Sequence, residues 1–180
     1  MFSDSLPCGS IGTTVPDCAW SPPRESDASS MKILIVDDHP LIREGLANVL
    51  RELDNDLVVI EAENGAQALA AIGHEDAISL MLLDLVLPGA DGLSLLNQVR
   101  EARPDVPVVV LSGNDNPQIV RQAIDSGAMG FITKRSSTPV LVSALRLVLS
   151  GAGYIPPQAL AAEAQAVAPA WLDEHAAANH

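Results

Sequence analysis

Apolar and polar positions follow two alternating periods between residues 31 and 155. Five short runs are almost entirely apolar and rich in Val, Ile and Leu, as expected of strands buried on both faces of a sheet. These runs cover residues 33–36, 57–60, 78–83, 106–111 and 130–133. The pattern therefore predicts five buried strands.

The segments between these runs have helical spacing. In the first, Leu41/Ile42, Leu46, Val49/Leu50 and Leu53 form one apolar stripe, and Pro40 suits a first helical turn. The later helices begin at capping or proline residues: Asn64 before 65–74, Asp91 before 92–101, Asn116-Pro117 before a helix that Gly127 ends, and Thr138-Pro139 before the last.

Five strands that alternate with five helices predict an α/β fold, with a parallel sheet covered by helices on both faces. The crossovers of such a sheet are right-handed. Ligands of such sheets bind beyond the carboxyl ends of the strands, where the strand order reverses. The residues that follow each strand are therefore the place to look for chemistry.

Composition and charge limit the function classes. The chain has 180 residues, 48% of them apolar and only 3% aromatic, so its core is aliphatic. A net charge of −13 opposes binding to nucleic acid, which requires clustered Lys and Arg. No apolar stretch approaches the ~20 residues of a membrane helix, and the first residues do not resemble a secretory signal. The two cysteines, Cys8 and Cys18, both precede the domain, and we predict a cytoplasmic, reducing context.

Composition also divides the chain into three parts. Residues 1–30 are rich in Ser, Pro, Gly and Asp, which is typical of a disordered leader. Residues 31–155 form the predicted domain. Residues 156–180 contain ten alanines and neither Lys nor Arg, so we expect no DNA-binding output domain there. A short Ala-rich helix over residues 157–167 is conceivable but marginal in isolation.

Polar side chains follow four of the predicted strands. Asp37-Asp38 follow the first strand, Asp84 the third, Ser112 the fourth and Lys134 the fifth. Each alone has an ordinary explanation as a turn former, a helix cap or a solvated side chain, and His39 is best explained as a polar neighbour at a helix start. In the predicted parallel sheet, however, all of them are expected at the same edge. Three close carboxylates need neutralisation, for which Mg²⁺ and the lysine are suited, and the implied ligand is a phosphoryl group.

Four separated segments also carry a resemblance to a known family. MKILIVDDHPLIREGL, LMLLDLVLPGADGLSLL, VVVLSG and GAMGFITK resemble the receiver domain of bacterial two-component response regulators. The first of them and the ending GFITKRSSTPVLVSAL are most similar to the NarL/FixJ (LuxR-type) subfamily. The resemblance covers residues 31–155 and implies a CheY-like or flavodoxin-like sheet with the strand order 2-1-3-4-5.

The resemblance also implies roles for individual residues. Asp84 matches the phospho-accepting aspartate, which attacks the phosphohistidine of a sensor kinase. Asp37, Asp38, Asp84 and the backbone carbonyl of Val86 match the Mg²⁺ ligands. Ser112 and Lys134 match the groups that bind the phosphoryl oxygens. Ser112 and Phe131 match a switch pair that moves together.

The active-site loops show matches and departures. Pro88 matches the proline four residues after the acceptor, and Gly113 and Asn114 belong to the loop after Ser112. Arg135 stands where many receivers have a proline. Val86 is apolar where some relatives are polar, and Asn114 flanks the same path of hydrolytic water. We hypothesise that these two residues set the lifetime of the acyl phosphate.

The implied function is phosphate acceptance and signalling rather than enzymatic turnover. The resemblance implies phosphotransfer from a sensor histidine kinase or a histidine phosphotransfer protein, and a protein output partner or homodimer. The charge indicates no direct nucleic acid contact by this chain, and no membrane partner is expected. A stand-alone receiver and a truncated transcription regulator both stay open.

Two alternatives belong to other functional classes. A phosphohydrolase of the haloacid-dehalogenase type also uses a strand-end aspartate with Mg²⁺, but places it after the first strand as Asp-x-Asp and carries a cap. A degenerate receiver would bind its partner without phosphorylation, although the complete acidic set argues against this.

Overall fold

The computed structural model describes residues 30–157 and residue 159. Along the described chain, seven strands and five helices follow one another: β1 (Lys32–Val36), α1 (Pro40–Arg51), β2 (Val58–Ala62), α2 (Gly65–His74), β3 (Ile78–Asp84), β4 (Val86–Leu87), β5 (Ala90–Asp91), α3 (Gly92–Ala102), β6 (Val108–Ser112), α4 (Pro117–Asp125), β7 (Gly130–Thr133) and α5 (Thr138–Leu149).

The five long strands form one parallel sheet in the order β2-β1-β3-β6-β7. In chain order of the long strands this is 2-1-3-4-5, which confirms the predicted α/β fold and its strand order. The two-residue strands β4 and β5 form a separate antiparallel hairpin, in which Val86 pairs with Asp91. This hairpin was not predicted, because two residues are too short to show a periodicity.

Helices cover both faces of the sheet over two aliphatic clusters. One cluster joins the sheet to α2, α3 and α4 and includes Leu83, Leu96 and Phe131. The other joins the opposite face to α1 and α5 and includes Ile35, Leu50 and Leu145. The apolar residues of β1, β3 and β6 are at most 5% exposed, so the three central strands are indeed buried on both faces, as the apolar runs predicted.

The second strand departs from that prediction. It begins at Val58 rather than at Leu57, and it lies at an edge of the sheet. Val58 is 41% exposed, and Val59 and Ile60 are only partly buried. The expectation of burial on both faces is wrong for this strand, because an unbroken apolar run does not distinguish an edge strand from a central one.

The buried face of α1 also differs from the predicted stripe. Its buried residues are Arg43, Leu46, Ala47 and Leu50, whereas Leu41 is 80% exposed and Ile42 is 37% exposed. These four positions have the spacing i, i+3, i+4 and i+7 of one helix face. The prediction started the stripe at two apolar residues and so rotated the helix away from Arg43.

The chain turns back onto the sheet after α5. Residues 152–157, called the return segment here, bring Tyr154 into a parallel bridge with Gly130 at the outer edge of β7. Phe131 N donates to Tyr154 O at 2.9 Å, and Tyr154 N donates to Met129 O at 3.2 Å. Ile155 and Ala159 pack against the cluster under α4. The predicted leader, and most of the predicted Ala-rich tail and its helix, lie outside the described residues.

None of the helices that the structure describes combines the length and the apolarity needed to cross a bilayer.

Candidate functional site

Four polar residues meet at the carboxyl ends of four adjacent strands. Asp37 follows β1, Asp84 ends β3, Ser112 ends β6 and Lys134 follows β7. Asp37, Asp84 and Ser112 are 1%, 2% and 2% exposed, respectively, which is rare for such side chains without partners. The parallel order brings these strand ends to one side, as the sequence predicted. We call Asp37, Asp38, Asp84 and Lys134 the acidic pocket.

Lys134 bridges the two buried carboxylates. Its Nζ donates to Asp37 Oδ2 at 2.7 Å and to Asp84 Oδ2 at 2.6 Å. Burial alone would lower the pKa of Lys134, but the hydrogen bonds and charges of Asp37 and Asp84 outweigh it and raise that pKa above its ordinary value. The ammonium therefore stays charged and offsets part of the repulsion between the carboxylates.

The second aspartate of the pair leaves an acceptor free in the acidic pocket. Asp38 Oδ1 is buried and accepts no hydrogen bond, although His39 Nδ1 lies 2.8 Å from it. One ligand atom from each of Asp37, Asp38, His39 and Asp84 lies within 4.8 Å of the others. An orphaned buried acceptor among carboxylates is costly unless a cation balances it, so these residues fit a hard divalent cation such as Mg²⁺.

His39 contacts the pocket more closely than the sequence suggested. Its backbone N–H donates to Asp37 Oδ1 at 2.8 Å, and its ring Nδ1 lies 3.1 Å from the same oxygen. The ring is 61% exposed, so these contacts are made at the rim. The expectation of a polar neighbour at a helix start matches this position, since α1 begins at the next residue.

The loop after β3 holds Asp84 from its other side. Val86 N donates to Asp84 Oδ1 at 3.1 Å, while the Val86 side chain is 70% exposed. Gly92 lets the loop close: a Cβ at this position would lie 2.4 Å from Leu85 Cα. Pro88 is exposed next to Gly89, which has a φ of +73° in the turn of the hairpin. The Val86 carbonyl and Pro88 thus lie in the loop that the sequence assigned to them.

The predicted switch residues lie on neighbouring strands. Ser112 Oγ accepts the backbone N–H of Asn114 at 3.1 Å, and Ser112 O accepts the backbone N–H of Lys134 at 2.8 Å. Gly113 and Asn114 are exposed above the pocket. Phe131 is 0% exposed and packs in the apolar cluster between the sheet and helices α2, α3 and α4. The hydroxyl, the lysine and the aromatic ring are thus linked through the pairing of β6 with β7.

Arg43 is a site residue that the sequence analysis missed. It is 7% exposed, and its Nη1 donates to the backbone carbonyl of Asp37 at 2.7 Å. Its Nε and Nη2 donate to Glu61 and Glu63 at 2.8 Å and 3.0 Å. The signal was present in the sequence, since Arg43 lies three, four and seven residues before Leu46, Ala47 and Leu50 and therefore on the buried face of α1.

The family model for the response regulator receiver domain matches residues 33–146. Among curated proteins, the chain is 43% identical over 126 residues to the glycerol metabolism activator of Pseudomonas putida, covering 70% of this chain and 57% of that protein. It is 36% identical over 126 residues to the transcriptional regulatory protein UhpA of Salmonella typhimurium, covering 69% of this chain and 62% of that protein. The chain thus spans about three fifths of the length of these relatives.

Solved structures agree with this assignment. A two-component response regulator of the LuxR family from Aurantimonas sp. superposes with a TM-score of 0.68 at 27% identity, covering 77% of this chain and 99% of that one. The isolated receiver domain of RcsB from Salmonella enterica serovar Typhimurium gives 0.66 at 26% identity, covering 72% and 96%. These neighbours and relatives are of the NarL/FixJ and LuxR type, as the motifs implied.

The comparisons do not favour a haloacid-dehalogenase-type hydrolase. Receivers of response regulators accept phosphate rather than turn over a substrate. With its sheet order, its strand-end acids and the family match over residues 33–146, this chain belongs to the receiver domain family of two-component response regulators.

Proposed function

We propose that Asp84 accepts a phosphoryl group from a phosphohistidine and that Ser112, Phe131 and Lys134 convert this event into a change of surface. The observation that carries the proposal is the buried carboxylate of Asp84, which Lys134 Nζ holds at 2.6 Å beside Asp37. A carboxylate and an ammonium that converge on one point, beside an unpaired acceptor of Asp38, form a site for a phosphoryl group rather than an inert ion pair.

Asp84 acts as the nucleophile in this proposal. One of its oxygens forms a bond to phosphorus while the bond from phosphorus to the imidazole nitrogen of the donor breaks, and the imidazole leaves with that electron pair. Val86 N–H and Lys134 Nζ orient the carboxylate from its two oxygens. Lys134 then pairs with the phosphoryl oxygens that replace the free carboxylate charge.

Asp37, Asp38 and Asp84, with the Val86 carbonyl, would hold Mg²⁺ at the site. When bound, Mg²⁺ supplies charge neutralisation for the carboxylates and the phosphoryl oxygens. The free acceptor of Asp38 and the close set of oxygen atoms support this assignment. Of the two adjacent aspartates, we assign the direct contact to Asp38, because the His39 backbone N–H and Lys134 Nζ already bind the two oxygens of Asp37.

Phosphorylation would be transmitted through the strand ends. The phosphoryl group adds about −1.5 to −2 charge and three strong acceptors. Ser112 Oγ accepts only the Asn114 amide among the described residues, so its proton is available to a phosphoryl oxygen after a shift of the loop after β6. Such a shift biases β7 and Phe131 between two arrangements. The exposed surfaces beside these elements, on α4, β7, α5 and α1, are where an output partner or a second copy would dock.

The partners of this chain follow from the family. Receivers of response regulators interact with histidine kinases, and one matched structure shows RcsB dimers bound to DNA. We propose a sensor histidine kinase or a histidine phosphotransfer protein as the donor, in the cytoplasm, and a homodimer or a protein partner as the output. DNA binding belongs to the longer relatives, and we assign none to residues 31–155.

Phosphorylation by a small donor tests the proposal. Incubation with acetyl phosphate and Mg²⁺ should add the mass of one phosphoryl group in intact-protein mass spectrometry. The adduct should disappear in Asp84→Asn and without Mg²⁺, and it should persist in the control Asp91→Asn, which removes an exposed carboxylate in the same loop.

The alternatives give other results. A degenerate receiver would show no adduct under any condition. A phosphohydrolase would instead release phosphate steadily from added phosphoesters, and its activity would depend on a nucleophile after β1. Either result would overturn the proposal.

A further inference from the structure

Arg43 is a buried cation that the proposed phosphotransfer does not use directly. Its side chain is 8% exposed, although Arg is almost never buried without partners. All three of its contacting nitrogens are engaged on different acceptors, on the Asp37 carbonyl, Glu61 and Glu63. The guanidinium is therefore held in one orientation between α1, β2 and the end of β1.

The contact with Asp37 fixes the peptide that begins the acidic turn. Asp37 N donates to Ala62 O at 3.1 Å, and Asp37 O accepts from Arg43 Nη1 at 2.7 Å. Both backbone polar groups of Asp37 are thus tied to neighbouring elements. The next residue is Asp38, whose free Oδ1 has to point into the pocket for a cation to be held.

Glu61 and Glu63 bind the guanidinium of Arg43 and are not part of the acidic pocket. Glu61 and Glu63 are 49% and 61% exposed, so they pair with Arg43 at the surface end of its fork. The planar guanidinium presents its donors in a rigid fork that reaches three separated acceptors, whereas an ammonium carries its three rotatable donors on a single nitrogen. Arg43 therefore connects Glu61 of β2 and the adjacent Glu63 to the backbone of Asp37, at the turn that follows β1.

We infer that Arg43 is a positioning residue for the proposed cation site: it fixes the Asp37–Asp38 turn so that the carboxylates converge on Mg²⁺. This inference rests on the proposed function of the acidic pocket. Arg43 contacts no reacting atom and acts only through the Asp37 peptide. Partners behind metal ligands commonly contribute 10–100-fold to metal affinity.

Arg43 could affect Mg²⁺ binding through its charge or through its hydrogen bond to Asp37, and these two roles predict opposite changes in Mg²⁺ affinity when the side chain is removed. Removing a positive charge near a cation site should strengthen Mg²⁺ binding if Arg43 acts through its charge alone. Removing the hydrogen bond to the Asp37 carbonyl should weaken Mg²⁺ binding if Arg43 acts by position. The sign of the change in Kd therefore tests the inference.

The experiment compares three variants of the full chain. Arg43→Met removes the fork and keeps an unbranched stem, Arg43→Lys keeps the charge but loses the fork, and Arg51→Met removes an exposed charge from the same helix as a matched control. Titration calorimetry gives the Kd of Mg²⁺, and phosphorylation by acetyl phosphate is followed over a range of Mg²⁺ concentrations. Thermal unfolding shows which variants are folded.

We expect Arg43→Met to raise the Kd of Mg²⁺ roughly tenfold and Arg43→Lys to raise it by a smaller factor. The maximal phosphorylation rate at saturating Mg²⁺ should return close to that of the unmodified protein, and Arg51→Met should change neither quantity. An unchanged or lower Kd in folded Arg43→Met overturns the inference.

If Arg43→Met does not fold, the same criterion applied to Arg43→Lys decides. If the unmodified protein neither binds Mg²⁺ nor becomes phosphorylated, the proposed function itself has failed. That result is distinct from a pocket that works equally well with and without Arg43.

Discussion

At the scale of single residues, the acidic pocket contains three carboxylates but one ammonium. Asp37 and Asp84 are almost fully buried and share one ammonium, and Asp38 adds a third carboxylate at the rim. One lysine cannot neutralise three acids. The pocket therefore keeps an excess negative charge that favours a cation, and Lys134 determines how large that excess is.

Lys134→Met should destabilise the protein in the absence of divalent metal. Asp37 and Asp84 would lose their shared partner, which should lower the free energy of unfolding by about 1–3 kcal/mol. Breaking a fully buried ion pair typically costs about 3–5 kcal/mol, and we expect less here because the lysine side chain is 19% exposed. Added Mg²⁺ should stabilise the variant more than the unmodified protein, because the pocket has become more negative. Chemical unfolding with and without Mg²⁺ measures both effects, and an Mg²⁺ effect equal in the two proteins would contradict this account.

Two helical glycines should respond oppositely to alanine. A Cβ on Gly92 would lie 2.4 Å from Leu85 Cα and 2.7 Å from Leu85 O, both backbone atoms that cannot turn aside. Gly92→Ala should therefore cost about 1–3 kcal/mol and disturb the loop that carries Val86. A Cβ on Gly45, within α1, would meet nothing within 4 Å, so Gly45→Ala should stabilise by about 0.5–1 kcal/mol. Denaturant midpoints measured on the two variants give the comparison. If both midpoints moved in the same direction, the close approach between position 92 and the Leu85 backbone would be contradicted.

At the scale of elements, the sequence predicted what is determined locally. The apolar runs located the five long strands, and Asn64, Asp91 and Asn116 cap their helices through side-chain hydrogen bonds, as predicted. The pocket was predictable because each of its residues follows a strand. The edge position of β2, the rotation of α1 and the burial of Arg43 depend on contacts between elements, which spacing along the chain does not contain.

The return segment offers a test of how elements are joined. A Cβ on Gly130 would lie 3.2 Å from Tyr154 O and 3.3 Å from Val148 Cγ2, so Gly130→Val should push Tyr154 away from β7. The bonds from Phe131 N to Tyr154 O and from Tyr154 N to Met129 O should open. Hydrogen exchange should then accelerate at the Phe131 and Tyr154 amides. It should stay slow at Val110 in the central strand β6, whereas faster exchange at all three amides would indicate general destabilisation.

At the scale of the whole molecule, net charge and family are compatible once the matched region is considered. A charge of −13 argues against nucleic acid contact by this chain, yet the matched structures include one described as a LuxR family DNA-binding response regulator from Silicibacter pomeroyi. The shared region is the receiver, and about two fifths of the curated relatives lie outside it. The acidity is spread over the whole chain, since residues 31–155 carry 9 basic and 16 acidic side chains, and it makes no statement about the output of the longer proteins.

Cation binding should stabilise the entire domain, because the acidic pocket joins the ends of β1, β3 and β7 through Asp37, Asp84 and Lys134. A ligand that binds only the folded state adds about 2.7 kcal/mol at a concentration 100 times its Kd. Mg²⁺ should therefore raise the thermal midpoint in a saturable manner, and the rise should be much smaller in Asp38→Asn, which neutralises the residue with the free buried acceptor. Asp76→Asn removes an exposed acid before the start of β3, outside the pocket, and should leave the Mg²⁺-dependent rise of the thermal midpoint intact. Calorimetric scans at matched ionic strength measure these shifts, and an equal response of both variants would mean that Mg²⁺ acts on the overall negative charge rather than at the pocket.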